Sequence, residues 1–264
     1  MTTPSPFFAP PQEIVMLIRD IQTLAIVPPG PLRGSEMRNI ETIRDAALLI
    51  EGERIAWFGP FVDAPDDPSG EVISAEGGCV IPGLIDPHTH IPFAGDRSEE
   101  FVRRVAGESY LSIMEAGGGI RVTTEAVRAA SEDQLVDENL PRLTRMLRRG
   151  VTTCECKSGY GLTVEDEFKQ LRAIARLREL QPVELVATYL GAHAVPAEYD
   201  GRADEFVDLI GSPQVMHRIA GERLAEFCDV FCDRGAFDVE QSRRVLKNAL
   251  EAGLKVKLHA DELA

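Results

Sequence analysis

The sequence predicts an α/β protein in which a small, mostly β module precedes a longer region of repeated βα units. The first observation is a change of pattern at Gly78, where short apolar runs give way to apolar strands alternating with amphipathic helices. The second is that the later strands are almost continuously apolar, which is typical of parallel strands buried on both faces. The third is that Gly150, Pro182 and Gly253 each follow a helical stretch, where such residues end helices.

The amino-terminal part has two segments. Residues 1–12 contain four prolines and lack the positive charge and apolar run of a signal peptide, so we expect a disordered leader. Residues 13–78 are the predicted small β domain, because the runs IVMLI, AALLI, RIAWFG and EVISA are separated by turn-forming residues. The sequence Glu51-Gly52-Glu53 between two of these runs is typical of a hairpin turn.

Residues 79–264 are the predicted catalytic region, with five strands and helices between them. This pattern fits both a doubly wound sheet and a (β/α)₈ barrel. A complete barrel takes about 250 residues, so the region is either doubly wound or the first part of a longer barrel. The predicted strands are Cys79–His90, Val151–Cys156, Glu184–His193, Ala225–Cys232 and Leu254–Glu262, and the clearest helices are Asp133–Arg149, Val164–Leu180 and Val239–Ala252.

Composition excludes several classes of partner. The chain has 43 Asp and Glu against 28 Lys and Arg, a net charge of −15, whereas nucleic acids and anionic membranes recruit positive charge. No apolar run reaches the roughly 18 residues that cross a bilayer. Five cysteines in a chain without an export signal indicate reduced thiols. We therefore expect a cytoplasmic protein with neither a nucleic-acid nor a membrane partner.

Four of the five histidines follow or end predicted strands, where parallel βα folds build their sites. His88 and His90 follow the apolar run VIPGLID and, two residues apart in a strand, share one side. His193 ends the third strand and His259 the fifth, with Glu262 three residues later. Neutral imidazoles suit Zn²⁺ or Fe²⁺, and a neighbouring carboxylate suits acid–base catalysis. A bare HxH pattern also fits two loop histidines without a ligand, so the strand context carries the prediction.

The motifs resemble the amidohydrolase superfamily of metal-dependent hydrolases. The run VIPGLIDPHTH, after a β module containing LLIEGERIAWFG, carries this resemblance. The segments FAGDR, EAGGGI, CECKSGYGL, LGAHAVP, FCDVFCDRGAF and LHADE resemble imidazolonepropionases in particular. HTH and HADE are generic to the superfamily, whereas KSGYGL and FAGDR are more specific. The resemblance covers residues 13–264.

The resemblance implies a (β/α)₈ TIM barrel, here truncated after about five strands, behind a small β-sandwich-like domain. It implies hydrolysis of the ring amide of 4-imidazolone-5-propanoate to N-formimidoyl-L-glutamate in histidine degradation. The implied assembly is a homodimer with one divalent metal per chain, Zn²⁺ or Fe²⁺/Fe³⁺. A further Asp ligand on strand eight and a His on strand six would lie beyond Ala264, so we expect little activity from the 264-residue chain alone.

Motif by motif, the resemblance also implies a metal site and catalytic groups. The metal ligands would be His88, His90 and His259. Glu262 would transfer protons at the ring, and His193 would help to stabilise the oxyanion. The fourth strand ends in CDVFCD without a lysine that could bridge two metals, which favours a single ion.

The implied substrate-binding residues recognise the propanoate and the ring. Arg97 would pair with the propanoate, because the guanidinium fork matches a carboxylate. Tyr160 and His193 would form hydrogen bonds with the substrate, and Tyr110 is a further predicted contact.

Two alternatives remain open at this stage. A cyclic amidine or nucleobase deaminase of the same superfamily would share the HxH pair, His259 and Glu262. Arg97 argues against it, because a nucleobase has no carboxylate to pair with. A non-catalytic fragment that kept the fold and lost turnover is the second alternative, and such a fragment would not retain a tightly bound ion.

Overall fold

The computed structural model describes residues 15–65, 70–109, 112–113 and 118–262. The predicted leader and Tyr110 lie outside these ranges. The chain divides into two compact units, the first ending at Pro82 and the second beginning at Gly83. This division lies four residues after the predicted boundary, because Cys79 and Val80 pair with a strand of the first unit.

The first unit contains one mixed sheet, and its two faces bury small apolar clusters. Strand order is β3-β2-β1-β4, with β5 also paired to β1. Gly52, with φ of +60°, lies in the turn between the antiparallel strands β2 and β3. The second sheet that a sandwich requires is not among the described residues, so the sandwich stays a prediction. The strands are β1 Val15–Ile26, β2 Glu41–Glu51, β3 Arg54–Pro60, β4 Glu71–Ser74 and β5 Cys79–Val80.

The second unit is α/β, and its strand pairings are all parallel. Spatial order follows chain order from β6 to β10, and β11 pairs with β9. A doubly wound sheet reverses its order at a switch point, whereas sequential order is the winding of a (β/α) barrel. The strands are β6 Leu84–Thr89, β7 Val151–Lys157, β8 Glu184–Ala192, β9 Phe227–Cys232, β10 Lys255–Val256 and β11 His259–Ala260.

Helices connect these strands, and several of them begin at a side-chain cap. Ser131, Thr163 and Asp238 each accept a hydrogen bond from the backbone amide three residues later. The described helices are α1 Ser98–Val105, α2 Ile120–Ala129, α3 Glu132–Leu147, α4 Val164–Leu180, α5 Ala203–Ile210, α6 Pro213–Gly221 and α7 Val239–Glu251. None of the helices in the described ranges is long and apolar enough to span a membrane.

Two of the predicted strands are interrupted. The predicted strand Cys79–His90 is divided into β5 and β6, because Pro82 between them has no amide to donate to a ladder. The predicted strand Leu254–Glu262 is divided into β10 and β11, which keep the same register against β9. All five cysteines are free in the structure.

Candidate functional site

Four histidine rings form a chain of contacts at the carboxyl ends of the parallel strands, and we call these four residues the histidine cluster. His88 lies in β6, His90 and His193 just after β6 and β8, and His259 in β11. Ring centroids are 4.7 Å apart for His88 and His259, 5.5 Å for His88 and His90, and 4.7 Å for the stacked pair His90 and His193. The fifth histidine, His217, lies in α6.

The predicted metal ligands lie close together, but their side chains do not yet form a site. Nε2 of His259 is 3.0 Å from Nδ1 of His88. As the side chains stand, no group of three or more His, Cys, Asp or Glu among the described residues is placed to hold a metal ion. Burial is the main factor that lowers the pKa of His88 and His90, so both rings are neutral at pH 7 and can offer a nitrogen lone pair. This donor set suits Zn²⁺ or Fe²⁺, and the ligand assignment stays a prediction.

Tyr160 and Glu262 lie beside the histidine cluster. The Tyr160 ring centroid is 4.9 Å from that of His90 and 5.4 Å from that of His193. The backbone amide of Glu262 donates to a carboxylate oxygen of Asp233, at 2.8 Å. A cavity of about 180 Å³ is lined by His88, His90, Leu190, His193, Phe231, His259 and Glu262.

Arg97 lines a second cavity, which shares His90 with the first. This cavity, of about 170 Å³, is lined by His90, Phe93, Gly95, Arg97, Thr123 and Tyr160. The Arg97 guanidinium donates through Nε at 3.0 Å and Nη2 at 2.7 Å to one carboxylate oxygen of Glu100, and these contacts lower the pKa of that carboxyl. The Arg97 fork therefore already has a carboxylate partner within its own chain. Together the two cavities bring Arg97, Tyr160 and the histidine cluster around His90.

A buried ion network lies next to the cluster, and sequence reasoning missed it. Lys157, at the end of β7, is 1% exposed, and its Nζ lies 2.8 Å from both Glu155 Oε1 and Asp229 Oδ2. Thr188 Oγ1 donates to the same oxygen of Glu155 at 2.6 Å. Although burial opposes it, the hydrogen bonds from lysines and Thr188 lower the pKa of Glu155. The signal in the sequence was the pair Glu155 and Lys157, two residues apart on one face of an apolar strand.

The same network reaches the histidine cluster through Asp229. Asp229 Oδ2 is 2.9 Å from Nδ1 of His259, on the opposite side of the ring from His88. The contact is close but not aligned as a hydrogen bond, because His259 Nδ1 has no acceptor in line with it. Lys257, between β10 and β11, also contacts the Glu155 carboxylate. Asp229 therefore gives His259 a buried anionic neighbour.

Glu167 is the second buried group that sequence reasoning missed. It lies in the first turns of α4, is fully buried, and accepts hydrogen bonds from the amides of Gly159 and Leu162, each at 2.8 Å. Burial raises the pKa of Glu167 from 4.5 to about 7, against the hydrogen bonds that it accepts. This role could not be predicted, because a glutamate in the first turn of a helix is ordinarily solvated.

The raised pKa of Glu167 predicts a pH dependence of stability. Between pH 4.5 and about 7 the native carboxyl keeps a proton that the unfolded one has released. The stability that this protonated carboxyl contributes to the fold is therefore fully present below pH 4.5 and is lost as the pH rises through about 7. We therefore compare the unfolding free energy of Glu167→Gln with that of the unchanged protein at two pH values. The difference should shift in favour of the variant by on the order of 1–3 kcal/mol from about pH 5 to about pH 8. Urea unfolding at both pH values measures this. Glu165→Gln, an exposed glutamate of the same helix, is the control, and an equal difference at both pH values would contradict the prediction.

Comparison with known proteins gives a clear result for the sequence. No protein-family model matches the chain. The chain is 46% identical over 248 residues to imidazolonepropionase from Shouchella clausii, which covers 92% of this chain and 55% of that protein. It is 49% identical over 244 residues to imidazolonepropionase from Chloroflexus aggregans, covering 89% and 57%. The chain thus spans a little over half the length of the curated relatives that it matches.

Comparison of structures supports the fold. A 5-methylcytosine deaminase from Klebsiella pneumoniae superposes with a TM-score of 0.62 at 15% identity, covering 94% of this chain and 52% of that one. A triazine hydrolase from Arthrobacter aurescens gives 0.58 at 16% identity, covering 95% and 54%. E. coli guanine deaminase gives 0.54 at 16% identity, covering 93% and 52%. At these identities the likeness concerns the fold alone.

Proposed function

Because the chain is related to the amino-terminal portion of imidazolonepropionases, which are amidohydrolases, we propose that the protein hydrolyses the ring amide of 4-imidazolone-5-propanoate in histidine degradation. The product would be N-formimidoyl-L-glutamate. The fold that we propose for the whole enzyme is a (β/α)₈ barrel, of which β6 to β11 form part. The sequential, all-parallel order of these strands supports this fold.

One observation carries the proposal: His90 lines two cavities. One contains the histidine cluster and Glu262, and the other contains Arg97 and Tyr160. A substrate that extends from one cavity to the other would meet imidazoles at its ring and a guanidinium at its far end. Imidazolonepropanoate has this form, with a planar ring at one end and a carboxylate at the other.

We propose that His88, His90 and His259 hold one divalent metal, Zn²⁺ or Fe²⁺. Such an ion would supply a water of lowered pKa and would polarise the ring carbonyl. Burial keeps His88 and His90 in the neutral form that binding requires. The proximity of their rings to His259 supports the assignment.

The remaining residues would bind the substrate and transfer protons. Arg97 would pair with the propanoate in place of its present partner, Glu100. Tyr160 and His193 would form hydrogen bonds with the ring, and His193 would stabilise negative charge that develops on the carbonyl oxygen. Glu262, in the cavity of the cluster, would deliver a proton to the departing ring nitrogen.

Arg97 distinguishes this function from that of a nucleobase deaminase. Two of the proteins with a similar fold are named as deaminases, but a nucleobase has no carboxylate for Arg97. Arg97→Ala should raise KM for imidazolonepropanoate by about 10–100-fold with a smaller effect on kcat, because a charged hydrogen-bonding partner is lost. The assay is the loss of the near-ultraviolet absorbance of the substrate, measured with the whole enzyme.

Arg121→Ala is the control for this experiment. Arg121 is an exposed residue of α2 that pairs with Glu125, outside both cavities, so its loss should leave KM unchanged. An unchanged KM in Arg97→Ala would remove the propanoate site from the proposal. Turnover of a cyclic amidine or nucleobase in place of imidazolonepropanoate would favour the deaminase.

A homodimer and a cytoplasmic location complete the proposal. Five free cysteines support a reducing compartment. Sedimentation of the purified protein tests the dimer.

A further inference from the structure

The loop between β7 and α4 is held by two side chains of the helix that follows it. Four successive backbone amides, those of residues 159–162, donate to Glu167 and Gln170. Glu167 accepts from Gly159 and Leu162, each at 2.8 Å. Gln170 Oε1 accepts from the amides of Tyr160 at 3.1 Å and Gly161 at 2.9 Å. Both side chains are completely buried, so no water competes for these bonds.

These contacts are separate from the capping of α4. Thr163 is the N-cap residue, and its hydroxyl accepts from the amide of Asp166. Glu167 and Gln170 bond to amides that precede the helix. A residue whose only purpose was to start the helix would not need these partners.

The other side of the loop faces the histidine cluster. The carbonyl oxygen of Ser158 lies 3.3 Å from Nδ1 of His90, and that of Gly159 lies 2.7 Å from Nδ1 of His193. A carbonyl oxygen can only accept, so each ring carries its proton on Nδ1 and leaves Nε2 unprotonated. The backbone of this loop therefore sets the tautomer of two predicted site residues.

Gly159 fits this arrangement closely. Its φ is +113°, and a Cβ there would lie 3.0 Å from both His193 Nδ1 and the Leu190 carbonyl oxygen. A side chain at this position would therefore crowd His193, and glycine lets the backbone of the loop pack directly against that ring. Gln170 also donates Nε2 to the carbonyl oxygen of Pro92 at 2.8 Å, which ties the segment after His90 to the same helix.

We propose that Glu167 and Gln170 are positioning residues of the site, fixing the orientation of Tyr160 and the Nδ1-protonated tautomers of His90 and His193 through the loop at 158–162. Neither side chain touches the substrate in this proposal. The effect on turnover rests on the proposed function, whereas the effect on the histidine tautomers does not.

The test is Gln170→Leu, which keeps the packing volume and removes the acceptor of two loop amides. Imidazole ¹⁵N NMR of the purified protein reports the tautomer of His193, which is not a predicted metal ligand. In the unchanged protein His193 should be protonated on Nδ1. In the variant the Nδ1–H population should fall, and kcat/KM for imidazolonepropanoate should fall about 10–100-fold, the usual cost of removing an orienting partner.

Gln181→Leu is the matched control, because Gln181 lies at the opposite end of α4 and bonds only to residues there. It should leave the His193 signals and kcat/KM unchanged. Glu167→Gln, which retains one acceptor oxygen, is the second variant and should shift the same signals less than Gln170→Leu does. Folded Gln170→Leu protein with unaltered His193 signals would overturn the proposal. Altered signals in a whole enzyme that does not hydrolyse imidazolonepropanoate would support the positioning role and reject the proposed function.

Discussion

Replacing Lys157 with methionine should lower the free energy of unfolding by about 3–5 kcal/mol, the cost of leaving a buried charge without its partner. Lys157 is the cation between Glu155 and Asp229, and all three side chains are at most 5% exposed. Methionine fills a similar volume but cannot compensate either carboxylate. Glu155 would still contact Lys257 and Thr188, so the loss of Lys157 would leave the charge of Asp229 less compensated than that of Glu155. Chemical denaturation measures the loss.

Lys169→Met is the control for this substitution. Lys169 pairs with Asp166 on the same helix at 2.8 Å, with both side chains partly exposed, and we expect a loss below about 1 kcal/mol. Adding Asp229→Asn to Lys157→Met should recover part of the stability, because it removes the uncompensated charge. A loss in Lys157→Met no larger than that in the control would show that the network does not stabilise the fold.

Replacing His259 with alanine should abolish tight metal binding and lower the proposed hydrolysis at least about 10³-fold. The size follows from the several kcal/mol that a catalytic metal contributes to stabilising developing charge. Metal content per chain and loss of substrate absorbance are the two measurements.

His217→Ala on α6 is the control, because His217 lies outside the histidine cluster and its Nδ1 is 2.7 Å from the Pro213 carbonyl oxygen of its own helix. It should keep the metal and the rate. A His259→Ala protein that holds one ion per chain with unchanged affinity would remove His259 from the ligand set.

Sequence patterns predicted the parts of this molecule that depend on local rules. Apolar strands, amphipathic helices and a His-x-His pair at a strand end follow from periodicity and residue type, and α4 has the predicted bounds Val164–Leu180. The broken strand Cys79–His90 shows the limit of this reasoning. An apolar run continues through Pro82 in sequence, but the missing amide of proline ends the ladder there.

The buried network as a whole could not be predicted, because Asp229 comes from a different strand than Glu155 and Lys157. Lys157 meets Asp229 across 72 positions of the chain, and no spacing rule connects them. In the sequence, Glu167 and Gln170 fit the polar face of a helix. Their partners are backbone amides of the preceding loop, and the path of that loop is not encoded in the helical pattern. Such side-chain-to-backbone contacts leave no periodic signature.

The chain-order winding of β6 to β10 also has a consequence for how the protein is made. Each strand pairs with the one synthesised before it, so the sheet can lengthen by one βα unit at a time as the chain leaves the ribosome. The Lys157 ammonium, however, is synthesised 72 residues before Asp229. Lys157 must stay hydrated or rely on Glu155 until β9 arrives, so closing this part of the interior is a late event in folding.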